Sequence, residues 1–342
     1  MTSYPSDLFL ICVLKHYLLP LAVLSCLPML QPLLSAILLG LVPTTADALP
    51  DAATLSRMTI APPSIAFDIP EHLSASGVLI LDRNTGQRLY AKGMKEQRAM
   101  ASLTKLMTAL IIAENHDLGE VVVIPQGIEN TPGTLAYLSS GQRFTVGNLL
   151  SAVLISSAND AARTLAIYHS GSVQAFTQEM NERALKLGMK ATSFRNAEGL
   201  DHPAHWSTAQ DMAWLTDFVL RKPEIAKRMS TAGGYIASVD GAYSRQLYHT
   251  HMLLHRPMAL VQTGGPGDTA MPRVKAGKTG TTSDAGECLV SVVTQGGHEY
   301  IVVLLGSLQR YQDMEMILTA MYAAAPADGA PSIATADEVA AQ

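Results

Sequence analysis

The first ordered apolar run, Gly77 to Asp82, is followed by the turn residues Arg83-Asn84-Thr85-Gly86 and a return over Gln87 to Lys92, the pattern of a β-hairpin. Ser102 to Asn115 predicts a helix, with a small polar residue at its start and Leu106, Leu110 and Ala113 along one stripe. Val146 to Ala166 is apolar enough for a buried helical pair, broken near Ser156-Ser157. Val173, Phe176, Met180, Ala184 and Leu187 recur at helical spacing, and Ser207-Thr208-Ala209-Gln210 reads as a capping-box start for a helix through Leu220. Strands are predicted at Glu287 to Thr294 and Glu299 to Leu305, joined through Gly296-Gly297, and a closing helix at Asp313 to Ala324. Strand pair, helical block, strand pair and final helix make an α+β fold. An antiparallel sheet is assembled from both ends of the chain and flanked by helices, with a mostly helical subdomain between.

The flanks have a different character. No charged side chain occurs from Leu18 to Val42; Lys15 precedes this run and Thr44-Thr45-Ala46-Asp47-Ala48 follows it. A basic residue, an apolar stretch and a small-x-small site predict a secretory signal cleaved after Ala48. The run exceeds the usual ~7–15-residue apolar core, so an uncleaved anchor is the alternative, although Pro20, Pro28 and Pro32 interrupt it. The expected organisation is a signal or anchor over 1–48 and a Pro-rich linker over 49–71. A catalytic domain over 72–325 and a disordered tail over 326–342 follow. Either reading of the leader puts the domain outside the cytoplasm, periplasmic or otherwise extracytoplasmic, with membrane contact only through residues 1–48.

Composition removes several function classes. A net charge of −5 gives no electrostatic case for nucleic acid. Cys12 and Cys26 belong to the leader, which leaves Cys288 alone on an apolar strand face, with neither a disulfide partner nor zinc spacing. His249, His251 and His255 lack a carboxylate to complete a metal set, so no metal is expected, nor any cofactor.

Chemistry is concentrated in three short motifs. Ser102-Leu103-Thr104-Lys105 places an amine on the same helix face as a hydroxyl, three residues apart. A serine needs such a base, and a lysine serves only where burial and a neighbouring cation such as Lys278 lower its proton affinity. Taken alone, this motif also fits a serine N-cap beside a solvated lysine. Ser157-Ala158-Asn159 places polar groups inside an apolar helical stretch: a proton relay and a carbonyl holder, or else a kink with Asp160 capping the next helix. Lys278-Thr279-Gly280-Thr281 offers a fixed charge, two hydroxyls for a terminal carboxylate and a glycine that lets a substrate backbone approach. No glycine-rich loop surrounds it that would support phosphate binding.

In this order the motifs resemble those of class A β-lactamases and penicillin-binding proteins. From about Gly77 to Tyr322 the chain is similar to the low-molecular-mass D-alanyl-D-alanine carboxypeptidases and endopeptidases, through Ala101-Ser102-Leu103-Thr104-Lys105-Leu106-Met107-Thr108-Ala109, Asn148-Leu149-Leu150, Gly199-Leu200-Asp201 and Trp206-Ser207-Thr208-Ala209. The resemblance implies a Ser102 acyl-enzyme on peptidoglycan stem peptides, with covalent inhibition by β-lactams. It places the oxyanion on the N–H groups of Ser102 and Thr281, and a carboxylate-binding arginine after the last strand, for which Arg310 is nearest. Departures are His249-Thr250-His251-Met252-Leu253-Leu254 where the family often has N-x-N-x-Leu-Leu, and a long loop over 255–273. The alternatives are a class A-like β-lactamase, with Glu198 the one residue that could activate a deacylating water, a non-turnover β-lactam sensor, and a silent scaffold.

Overall fold

The computed structural model describes residues 67–70, 72–255 and 271–324. The expected leader, most of the expected linker, most of the expected long loop (256–270) and the expected tail lie outside the described residues. Nine strands and seven α-helices are described.

β1 (Gly77–Asp82) and β2 (Arg88–Lys92) form the expected hairpin. β7 (Arg273–Thr282), β8 (Gly286–Gln295) and β9 (His298–Ser307) complete an antiparallel sheet of order β2-β1-β9-β8-β7. β9 therefore lies beside β1, with Gly77 opposite Leu305, and the sheet draws on both ends of the described domain. β9 is apolar on both faces because both are covered. Ile301, Val303 and Leu305 join the core shared with the helices, whereas Val302 and Leu304 pack with Met314, Ile317 and Met321 of α7 (Arg310–Ala323).

The helical block comprises α1 (Lys105–Asn115), α2 (Val146–Leu154), α3 (Asn159–Ser170), α4 (Val173–Lys186), α5 (Ala209–Leu220) and α6 (Pro223–Met229). Thr145, Ser172 and Thr208 cap α2, α4 and α5, each accepting a backbone N–H with its hydroxyl. The cap of α5 is thus Thr208, one residue after the expected start of the capping box. α7 begins at Arg310, three residues before the expected Asp313, because the Asp313 carboxylate is committed elsewhere. It accepts from the Ser74 and Ala75 N–H groups at 2.7 and 2.9 Å and from the Ser307 hydroxyl at 2.6 Å, tying the helix start to the chain ahead of β1.

Two small hairpins were not expected from the sequence: β3 (Val121–Val123) with β4 (Arg143–Thr145), and β5 (Gly233–Ala237) with β6 (Ser244–Tyr248). The second continues past Tyr248, where the His249 N–H donates to Ala232 O, and delivers Thr250 to the edge strand β7.

Candidate active site

Ser102 does not sit within an α-helix as expected. It lies on a 3₁₀ turn, Ala101–Thr104, and α1 begins only at Lys105. The turn is set by Ala101, whose φ of +48° is in the left-handed region that costs a residue with a Cβ about 1–3 kcal/mol. Two glycines make room for it. A Cβ on Gly199 would stand 2.1 Å from Ala101 O, and one on Gly280 would stand 2.8 Å from Ser102 N. His205 holds the turn from below. The Thr104 hydroxyl donates to Ala101 O at 2.8 Å, so it accepts from His205 Nε2 at 2.7 Å. His205 Nδ1 accepts the Arg195 N–H, which fixes a neutral ring, and burial lowers its pKa to about 4.

The spacing of Ser102 and Lys105 still brings them together. Lys105 Nζ donates to Ser102 Oγ at 2.9 Å, to Asn159 Oδ1 at 2.6 Å and to the Glu198 backbone carbonyl at 2.6 Å. The amine is fully buried, and burial lowers its pKa to about 7 against the opposing pull of Glu198 and Asp160. Repulsion from a neighbouring cation, expected to act on Lys105, acts instead on Lys278, which burial and then Lys105 and Arg310 hold well below an ordinary lysine.

Ser157 is a second non-glycine residue in the left-handed region, φ +60°, at the break between α2 and α3. That turn aims its hydroxyl at Lys278 Nζ, which donates to it at 2.7 Å and to Thr279 O at 2.8 Å. Asn159 is buried, and its Nδ2 donates to Pro132 O at 2.7 Å, so the amide in this state braces Lys105. The N-cap of α3 is Ala158, and Asp160 serves the helix from within its first turn by accepting the Ala161 N–H at 2.9 Å. Its carboxylate accepts from the Ala136 and Leu138 N–H groups at 2.9 and 3.0 Å and holds the adjoining loop.

Along β7 the two expected hydroxyls part company. Thr279 is buried and donates to Thr250 Oγ1 at 2.5 Å, whereas Thr281 is exposed and accepts from Arg310 Nη2. Arg310 is thus brought to the site, where its Nη1 donates to Gly280 O at 2.9 Å and Cys288 O at 3.0 Å, and Glu287 partners its Nε at 3.2 Å. The structure brings together Ser102, Lys105, Ser157, Asn159, Lys278, Gly280, Thr281 and Arg310, with Thr279 turned toward Thr250. Arg310→Ala is expected to lower kcat/KM by roughly 10–100-fold on peptides ending in a free carboxylate, the span for hydrogen bonds to a charged group. Comparing free-acid with amidated peptides checks this, and equal losses on both would remove Arg310 from carboxylate binding.

Sequence reasoning passed over several contributors. Thr250 carries no motif, and the Glu198 carbonyl and Pro132 O are backbone groups. His251 is also structural: its Nε2 pairs with Ser291 Oγ at 2.7 Å, and a Cβ on Gly277 would stand 2.3 Å from its ring. Its neighbour His255 bonds the His249 carbonyl at 2.7 Å. Cys288 is a free, buried thiol whose pKa burial raises to about 11. The loop carrying Glu198 does reach Ser102, but through its carbonyl, 3.5 Å from Ser102 Oγ.

Fold and site together define a class: an α+β protein of the penicillin-binding type, with serine, two lysines and an asparagine gathered between an edge strand and a helical block. The chain belongs to the D-alanyl-D-alanine carboxypeptidase family, whose model matches residues 64–309. It is 34% identical over 242 residues to the D-alanyl-D-alanine carboxypeptidase DacF of Bacillus subtilis, covering 69% of this chain and 58% of that one. It is 29% identical over 255 residues to a D-alanyl-D-alanine endopeptidase of Pseudomonas aeruginosa, covering 73% and 77%. The crystal structure of the D-alanyl-D-alanine carboxypeptidase DacD from Francisella tularensis superposes with a TM-score of 0.63 at 27% identity, over 77% of this chain and 72% of that one. A D-alanyl-D-alanine carboxypeptidase from Mycobacterium tuberculosis shares the fold, with a TM-score of 0.66 at 24% identity over 77% and 96%.

Proposed function

We propose that this protein is an exported serine-type D-alanyl-D-alanine peptidase that cleaves peptidoglycan stem peptides through a Ser102 acyl-enzyme and is acylated by β-lactams. The observation that carries the reading is the Lys105 amine, buried, 2.9 Å from Ser102 Oγ and titrating near neutrality, which is what a general base for serine requires. Family membership and the apolar run ahead of Ala48 support substrate and export.

The steps follow from the geometry. Lys105 takes the Ser102 proton as Oγ bonds to the carbonyl carbon of the penultimate D-alanine. The oxyanion is received by the N–H groups of Ser102 and Thr281, which the glycine at 280 allows to approach each other. The C–N bond then breaks, and the Ser157 hydroxyl passes a proton to the leaving amine, replenished from the lysine pair. Arg310 and Thr281 take the terminal carboxylate. Water attacks the ester and restores Ser102. The class A-like alternative is not favoured, because it is the Glu198 carbonyl and not its carboxyl that reaches Ser102.

The test is product analysis with purified muropeptides. D-Alanine released from uncross-linked pentapeptides, or monomers released from cross-linked dimers, is the expected result, and the ratio sets exo- against endo-cleavage. Neither product from folded protein would end the proposal.

A further inference from the structure

The Glu198 side chain is 1% exposed, and neither carboxylate oxygen has a side-chain hydrogen-bond partner among the described residues. Buried polar groups are ordinarily paired, and an unpaired one is costly enough to need a reason. Packing supplies none, since an apolar side chain of that size would fill the place without the penalty. Its cationic contact is Arg163 on α3, with Nη1 3.7 Å from Oε1 and a side chain 41% exposed. The carbonyl of the same residue accepts from Lys105 Nζ at 2.6 Å. One residue therefore grips the lysine with its main chain and keeps an acid buried beside it.

The other charges facing the pair are accounted for. Asp160 on α3 is held by three backbone amides. Lys278 on β7 is bound to Ser157 and Thr279 O, and Arg310 at the start of α7 is paired with Glu287. Of the two carboxylates acting on Lys105, Asp160 is tied into the neighbouring loop by backbone amides, whereas Glu198 has Arg163 and only the amides of its own segment beside it.

We propose that Glu198 is a positioning residue for Lys105: its buried carboxyl, flanked by Arg163, sets how readily the lysine gives up its proton. This rests on the reading of Lys105 as the base for Ser102. Burial by itself drives the lysine towards a neutral amine that holds a proton too weakly to be an effective base. Glu198 is the larger of the two opposing pulls that bring it back to about 7, where it is both substantially unprotonated and basic. Burial raises the pKa of Glu198, and Arg163 is the first of the influences that lower it again.

The experiment is the rate of Ser102 acylation by a fluorescent penicillin from pH 5 to 9 (roughly two units either side of neutrality) in the unaltered protein, Glu198→Gln and Arg163→Met. In Glu198→Gln the acid limb is expected to move to lower pH by roughly one unit, the lower end for loss of a nearby opposite charge, with a reduced plateau. Arg163→Met, on a partly exposed side chain, should move the limb less and in the same direction, and it carries the test if Glu198→Gln does not fold. Slower acylation with an unmoved limb would make Glu198 mere filler and overturn the inference. So would a limb displaced upward in Arg163→Met, which would place that charge on Lys105 directly. No acylation of the unaltered protein at any pH would overturn the acyl-enzyme reading itself, whereas normal acylation with an unmoved limb overturns this inference alone.

Discussion

Ser102→Ala is expected to remove the benzylpenicillin adduct completely and to lower peptide turnover by a factor on the order of 10⁴–10⁶, the range for loss of a serine nucleophile. The size of the effect follows from how little else in the cleft can attack. Ser157 is the other hydroxyl beside an amine, but it is held in a strained turn, where Lys278 donates to it while also serving Thr279 O. Thr279 is committed to Thr250 and Thr281 to Arg310. Mass spectrometry of the tryptic peptides after benzylpenicillin treatment checks the assignment, and an adduct on any peptide lacking residue 102 would refute it. Substrate binding should survive, because the Arg310 and β7 contacts do not involve Ser102 Oγ.

Lys105→Met separates activity from stability. Acylation should fall by about 10²–10⁴-fold, the usual contribution of a general base, while thermal stability at neutral pH rises. The stability sign comes from proton counting. The folded protein holds the Lys105 pKa at about 7, against 10.5 when exposed, so between those values the unfolded chain binds a proton that the folded chain does not. Stability therefore rises with pH across that window, and the cost of the buried lysine is felt in full below pH 7. Methionine fills a similar volume without that cost, so the gain in Tm over the unaltered protein should be largest at pH 6–7 and shrink toward pH 10 (roughly the ordinary lysine pKa). Calorimetry at several pH values measures it; a Tm that falls at all of them would show that the amine is a net structural anchor.

The chemistry was more legible in the sequence than its mounting. Three motifs named seven of the residues now seen around the cleft, because nucleophile and base must be particular residue types at particular spacings. The turn that carries Ser102 was not legible: Ala101 adopts its left-handed backbone only under Gly199 and Gly280, nearly one hundred residues and more away in sequence. Nothing local requires a 3₁₀ turn there. The β5–β6 hairpin escaped for a related reason, since only Ile236 and Leu247 of its ten residues are buried and the hydrophobic signal is correspondingly thin. Arg310 could be named through family likeness alone. Its position depends on the Asp313 tether and on Glu287, neither of which has a pattern in the chain.

The pairing of β1 with β9 also places the protein in time. A ribosome makes β1 early and β9 late, and until β9 arrives the first hairpin has no neighbour to close the sheet. Joining ends so far apart carries a large loop-closure cost before any contact repays it, a topology that folds slowly. The strand that roofs Ala101 belongs to the late half as well, so a growing or truncated chain has its serine but not the setting that arms it. The backbone that seats Ser102 is therefore complete only when the last strands have joined the first.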